Sequence, residues 1–190
     1  MKIERVWSMP KRNTFDIPPI REFINKHLVR GIIIDPFANK NRIATITNDL
    51  DPRYQTDYNM DALNFLKIFN SNSIDMVLYD PPYSPRQVSE CYTNLGMTVN
   101  MQTTQSSYWS NQKKEISRIV KPGGKVITFG WNSGGIGRSY GFEIEEILLV
   151  AHGGWHNDTI CTLERKLKKD ENVIPIHNGI IQIINNTNNI

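Results

Sequence analysis

The sequence predicts a mixed α/β domain built on buried parallel strands, and three observations carry that expectation. Residues 32–34 and 77–79 are uninterrupted apolar runs that each stop at an Asp-Pro step. A strand buried on both faces reads this way, and proline ends it because it donates no ladder hydrogen bond. Between these runs, and again before the third, the apolar spacing becomes helical. The third run follows the turn Lys121-Pro122-Gly123-Gly124, whose glycines suit a sharp entry into a strand.

Composition sets the bounds. With 190 residues, 39% of them hydrophobic and 22% charged, the chain can bury one full core. No stretch reaches 18 uninterrupted apolar residues and the amino terminus lacks a signal-peptide core, so no membrane span and a cytoplasmic location are expected. Cys91 and Cys161 show no pairing pattern, which fits free thiols in a reducing compartment. A net charge of +3 permits a nucleic-acid partner without requiring one.

In chain order, residues 1–13 mix charge with Trp7 and Pro10 and read as an ordered lead-in or arm. A helix follows over 14–28, with Asp16 as a cap, Pro18 and Pro19 near its start, and Ile20, Phe23, Ile24 and Leu28 on one face. The strand ending at Asp35-Pro36 is separated from the next apolar stretch, 43–47, by little more than Asn39 to Arg42. A parallel crossover with a helix needs about 10–12 residues, so the first crossover helix is missing or reduced to coil. The second strand ends at Asn48-Asp49-Leu50-Asp51, and residues 60–69 form a short amphipathic helix that Asp61 can cap.

After the strand over 77–79, residues 84–111 read as a long polar loop carrying Arg86, Tyr92, Tyr108 and Trp109; a loop this long beside a site is more often functional than idle. A helix over 113–119 precedes the Lys-Pro-Gly-Gly turn, and strands are expected over 125–130, 142–150 and 159–163. His152, His156 and Asn157 lie between the last two without a cysteine or carboxylate at ligand spacing, so no metal site is expected there. The charged run over 163–171 reads as a solvated helix face. Residues 1–170 are expected to form a single domain, and 171–190, rich in Ile and Asn, a tail, an edge strand or a dimer contact.

The chemistry converges on Asp80-Pro81-Pro82-Tyr83. The prolines stiffen the backbone where the strand emerges at the carboxyl edge of the sheet, the edge at which open α/β sheets bind ligands. The Asp80 carboxylate, the Pro81 carbonyl and the Tyr83 ring can then face one pocket. Two acceptors beside a stacking face suit a planar ring with an exocyclic amine.

This tetrapeptide resembles the Asp-Pro-Pro-Tyr motif of the amino-methyltransferases, S-adenosylmethionine-dependent enzymes that methylate adenine N6 or cytosine N4 in DNA. The resemblance implies a class I, Rossmann-like methyltransferase fold: a mostly parallel sheet with an antiparallel carboxyl-terminal strand, forming a catalytic domain over 1–170. It implies a catalytic set of Asp80, Pro81, Pro82 and Tyr83, with acid and carbonyl accepting the amine hydrogens and the ring stacking on the base. Asp35-Pro36-Phe37-Ala38 is similar to the opening of the family's cofactor motif, without the glycines that usually follow. By the same resemblance Asp49, or failing it Asp51, accepts ribose hydroxyls, and Asp61-Ala62 meets the cofactor's adenine.

The implied activity is a site-specific DNA adenine N6-methyltransferase acting on an adenine flipped from double-stranded DNA. No insertion large enough for a target-recognition domain separates the two motifs, as in compact phage- or prophage-encoded adenine methyltransferases. Specificity then rests on loops, a homodimer or an accessory partner. The alternatives left open are a methyltransferase of RNA or of a protein amide, and a binding module of the same fold whose cofactor site has decayed.

Overall fold

The protein is described by a computed structural model covering residues 1–97, 107–168, 172–173 and 183–184. Its central strand, β4 (Ile74–Tyr79), shows why the apolar run is continuous. Successive side chains alternate faces, so Met76 and Leu78 enter one core while Val77 and Tyr79 enter the other. A parallel strand, β2 (Ile33–Asp35), pairs on one side of β4, with Ile33 opposite Met76, and β3 (Ile46–Thr47) lies parallel beyond it. On the other side β5 (Val120–Gly130) is also parallel.

The last two long strands form an antiparallel pair as expected, although β1 lies outside them. β6 (Phe142–Ala151) and β7 (Thr159–Lys166) are antiparallel neighbours, and β7 inserts antiparallel beside β5. The amino-terminal residues expected as an arm contain β1 (Lys2–Trp7), which runs parallel to β6 and forms the sheet edge. Its side chains are mostly exposed, which explains why no burial pattern marks it in the sequence. The complete order is β1-β6-β7-β5-β4-β2-β3. In the tail expected over 171–190, a separate antiparallel pair, β8 (Asn172–Val173) and β9 (Ile183–Ile184), is described; the rest of that segment lies outside the described residues.

Helices cover both faces. α1 (Pro18–His27) buries Ile20, Phe23 and Ile24 against Leu78, Ile127 and Leu148, each side chain contributing roughly 1.5–3 kcal/mol. A short 3-10 turn, Thr14–Asp16, precedes it and drives Phe15 against Phe129 at 4.8 Å between ring centroids. Leu28, expected on the apolar face, lies beyond the helix end and is exposed. On the opposite face, α2 (Ala62–Lys67) supplies Phe65 and Leu66 to the core around Ile34, Val77 and Val126. As its length requires, the connection over 36–45 contains no helix.

Three expectations need correction. Residues 85–94 of the supposed loop form α3 (Pro85–Asn94), for which Ser84 accepts a capping bond from the Gln87 N–H and Pro85 sits in the first turn. That Ser-Pro start is a helix signal that the low aliphatic content concealed. The loop's end is also helical, because α4 (Ser107–Ile119) begins before residue 113 and buries Tyr108, Ile116 and Ile119; residues 98–106 lie outside the described residues. The charged stretch after residue 163 continues β7 to Lys166, with Leu163 and Glu164 buried, and is no helix face. Among the described residues, no helix is long and apolar enough to cross a membrane.

The Lys-Pro-Gly-Gly segment lies within β5 as a bulge. Ile74 pairs with Val120 and Met76 with Lys125, so residues 121–124 oppose Asp75 alone. Gly123 has φ 82°, and a Cβ on Gly124 would sit 2.8 Å from Val120 Cγ1 and 2.9 Å from the Lys121 carbonyl. Gly124→Ala is therefore expected to lower stability by about 1–3 kcal/mol, read from the urea midpoint.

Candidate functional site

Because β2, β3 and β4 are parallel, their carboxyl ends share one edge, and there they bound a cleft of about 510 Å³. That size suits a nucleotide-sized ligand. Asp80, Pro81, Pro82 and Tyr83 line it from the end of β4. Pro36 and Phe37, beyond β2, and Asp49, Asp61 and Ala62 line it from the neighbouring segments. Asp35 is the exception. It is 1% exposed beneath the cleft, where its Oδ1 accepts the Phe37 N–H at 3.0 Å. Burial, with the nearby Asp80 and Asp49 charges, pushes its pKa well up, so it shapes the turn under the cleft.

The β2 and β3 side is held together by groups that sequence reasoning overlooked. Asn48 is fully buried, and its amide donates to the carbonyls of Pro36 and Met60, each at 3.0 Å, while its oxygen accepts the Met60 N–H at 3.1 Å. One side chain thereby ties the turn after β2 to the lead-in of α2. The tight turn itself survives the missing glycine. Asn39 takes φ 52°, a left-handed conformation that Asn adopts more readily than most residues, and its N–H donates to Asp49 at 2.8 Å.

Asp49 also accepts the Asp51 N–H at 2.9 Å, and burial raises its pKa. Asp51 caps the 3-10 turn Pro52–Tyr54 and pairs with Arg53 at 2.6 Å, so Asp49 is the better placed of the two acids for a ligand hydroxyl. Asp61 caps α2 through the Leu63 and Asn64 N–H groups, and its other oxygen accepts the Tyr92 hydroxyl at 2.6 Å. Capping and cleft lining thus coexist in Asp61. The donor and acceptor set fits a nucleoside cofactor: a carboxylate for hydroxyls at Asp49, a second acid at Asp61, and apolar surface from Phe37, Leu50 and Ala62.

At the β4 end, Asp80 is half-buried and lines the cleft. Burial raises its pKa from 3.8 to about 6, although hydrogen bonds from Tyr83 and Thr14 oppose the rise. The Tyr83 hydroxyl donates to Asp80 Oδ1, and the Tyr83 N–H donates to Gln87 at 2.6 Å. Burial, followed by the Asp80 charge, pushes the Tyr83 pKa far above its ordinary value. Among the described residues, none donates to the Pro81 carbonyl.

Trp109 Nε1 donates to the Pro82 carbonyl at 2.9 Å, so this ring fixes the double proline, while its neighbour Tyr108 lines the cleft. Arg86 is not among the residues lining the cleft; it is exposed and paired with Glu90. Trp131 meets Tyr83 edge-on at 5.5 Å between centroids. The loop carrying Trp131 is anchored by buried Glu164, which accepts the Ile136 and Gly137 N–H groups at 2.6 and 2.9 Å. His152 is buried, bonded to the Ser8 carbonyl and to Thr159, and no cluster among the described residues has the composition of a metal site.

No family model matches the chain, and no curated protein sequence matches it. Solved structures do resemble it. TrmN from Thermus thermophilus aligns with TM-score 0.53 at 14% identity over 82% of this chain, which spans half the length of that protein. A Burkholderia thailandensis 1,6-didemethyltoxoflavin-N1-methyltransferase, solved with S-adenosylhomocysteine, aligns at 0.52 and 12% over 79% of this chain and 77% of its own. A Methanosarcina mazei S-adenosylmethionine-dependent methyltransferase gives 0.51 and 11% over 76% and 97%. The chain has the Rossmann-like methyltransferase fold.

The Asp80 environment has a testable signature. The folded protein keeps the proton on this carboxyl to about pH 6, whereas the unfolded chain releases it near 3.8. The native state therefore binds more protons between those values, and stability from this group falls as pH rises through the window. Unfolding free energies of the native protein and Asp80→Asn, measured by urea titration from pH 4 to 7, are expected to diverge. The native protein should lose about 1–3 kcal/mol relative to the variant.

Proposed function

We propose that the protein is an S-adenosylmethionine-dependent methyltransferase of an exocyclic amine, and specifically of adenine N6 in DNA. The observation that carries this reading is the one cleft that Asp80, Pro81 and Tyr83 line together with Phe37, Asp49 and Asp61. S-adenosylmethionine supplies an electrophilic sulfonium methyl when bound. Asp49 holds ribose hydroxyls, Asp61 and Ala62 border the adenine, and Pro36 and Phe37 shape the pocket floor. The fold supports the cofactor class, and the tetrapeptide supports the amine.

An exocyclic amine is a weak nucleophile because its lone pair is delocalised into the ring. Asp80 and the Pro81 carbonyl accept the two amine hydrogens, which localises that pair and fixes its direction of attack. At neutral pH Asp80 is mostly ionised, yet a pKa of about 6 makes it a stronger base than an ordinary carboxylate, suited to receiving the proton the amine releases. Tyr83 supplies the stacking face. Its hydroxyl donates to one Asp80 oxygen.

A methyl acceptor buried in a duplex stack must be extruded before it can reach these groups, so the substrate is a flipped base. Asp80→Ala is expected to lower methyl transfer by about 10²–10⁴-fold while leaving cofactor affinity nearly unchanged. Labelled S-adenosylmethionine incubated with separate DNA, RNA and protein pools should mark the DNA, at N6 of adenine. Label in RNA or protein alone would refute the substrate, and retained activity in Asp80→Ala would refute the site. Asp49→Ala should weaken cofactor binding about tenfold or more in calorimetry, as loss of a charged hydrogen-bond acceptor predicts.

A further inference from the structure

A second cleft, of about 410 Å³, opens beside the first and shares Arg12, Asn13, Asn39, Asp51, Arg53 and Tyr54 with it. Its walls are the amino-terminal segment that precedes the Thr14–Asp16 turn, the coil that stands where a crossover helix would be, and the Pro52–Tyr54 turn. These three segments are fixed to one another. Asn13 and Asn41 exchange side-chain amide hydrogen bonds at 3.0 and 3.3 Å, which joins the first to the second. Arg42 donates to the carbonyls of Asn39 at 3.2 Å, Asn41 at 2.5 Å and Gln55 at 3.2 Å, and to that of Tyr54, which joins the second to the third.

The charges on this surface are unbalanced. Asp16 is paired with Arg21 and Asp51 with Arg53. Lys11, Arg12 and Lys40 are exposed, and among the described residues none of them has an ion pair. Three cations without an ion pair among the described residues therefore line a concave strip that runs into the cleft holding Asp80. Concavity beside a deep pocket suits an extended anionic chain whose one protruding unit enters the pocket, since each cation can then meet a successive charge.

We propose that Lys11, Arg12 and Lys40 form a clamp for the sugar-phosphate backbone flanking the base that occupies the Asp80 cleft. This inference rests on the reading of that cleft as a base-methylating site, and it assigns the backbone contact to the chain's own amino-terminal segment and helix-free coil. The contact is independent of sequence: phosphates give affinity and register, not base discrimination. Arg12 borders both clefts and connects the clamp to the catalytic groups.

The test is fluorescence anisotropy with a labelled DNA duplex and the equivalent RNA duplex, across a salt series and without cofactor. The double variant Lys11→Ala/Lys40→Ala is compared with Lys67→Ala/Lys114→Ala, which removes the same charge from exposed helix positions outside both clefts. The slope of log affinity against log salt is expected to fall by about 1.8 in the first variant, at about 0.9 per lost phosphate contact, with affinity lower by about tenfold. The control should keep the native slope. A slope change in the DNA arm, the RNA arm or both supports the clamp and names its source, and equal urea midpoints establish that both variants are folded.

An unchanged slope in Lys11→Ala/Lys40→Ala, or an equal change in the control, overturns the proposal. So does a native protein that methylates a peptide amide and binds no polynucleotide. If the native protein binds DNA through these lysines but transfers no methyl group to it, the function assigned to the Asp80 cleft fails while the clamp stands.

Discussion

The cleft depends on one constraint: β4 must be apolar on both faces through Tyr79 and then present a carboxylate that cannot retreat from its neighbours. Met76 to Tyr79 are fully or almost fully buried, so the strand cannot slip in register without exposing one core or the other. Pro81 and Pro82 follow at once and deny the chain the freedom to turn Asp80 back into solvent. Trp109 then bonds the Pro82 carbonyl, and Gln87 receives the Tyr83 N–H. The raised pKa of Asp80 is a consequence of this enforced position.

The other half of the site shows what a shortened connection requires. A crossover helix would ordinarily brace the turns after β2 and β3; here residues 36–45 are coil, and polar side chains do the bracing. Asn48 links Pro36 to Met60, Asp49 receives the Asn39 and Asp51 N–H groups, and Arg42 gathers four carbonyls. Each buried polar group is costly unless bonded, so such a network holds a defined shape only when its members are satisfied. The coil also leaves Lys40 exposed beside the amino-terminal segment, where a helix would have filled the space.

How much of this was legible in the sequence follows the burial of each element. β2, β4 and the core of β5 were readable because strands covered on both faces are apolar throughout, and the missing helix was readable from chain length alone. β1 was hidden because an edge strand with exposed side chains carries no alternation. α3 was hidden for the related reason that it buries only Val88 and Tyr92, leaving its Ser-Pro start as the sole local signal. At the site, the sequence pattern singled out Asp80 to Tyr83, and the structure places them on the cleft. Asn48, Thr14 and Trp131 act through tertiary contacts 12 or more residues away or across the sheet edge, and no local pattern marks such partners. For Asp35 the position at a strand tip was clear, but not its burial, where it accepts the Phe37 N–H.

The bond between Tyr83 and Asp80 has a consequence for how a base is received. An amine that donates to Asp80 must compete with, or share the carboxylate with, the Tyr83 hydroxyl. A hydrogen bond to a charged group contributes about 1.5–3 kcal/mol, so a substrate offering no donor has nothing to set against its loss, whereas an exocyclic amine replaces it in kind. The aromatic edge contact with Trp131 holds Tyr83 over the same ground. On the proposed reading the resting tyrosine therefore keeps the buried carboxylate satisfied between turnovers and yields most readily to a ligand with an N–H to offer. On that reading, selection for an amine would lie in the exchange of partners at Asp80, before any methyl group moves.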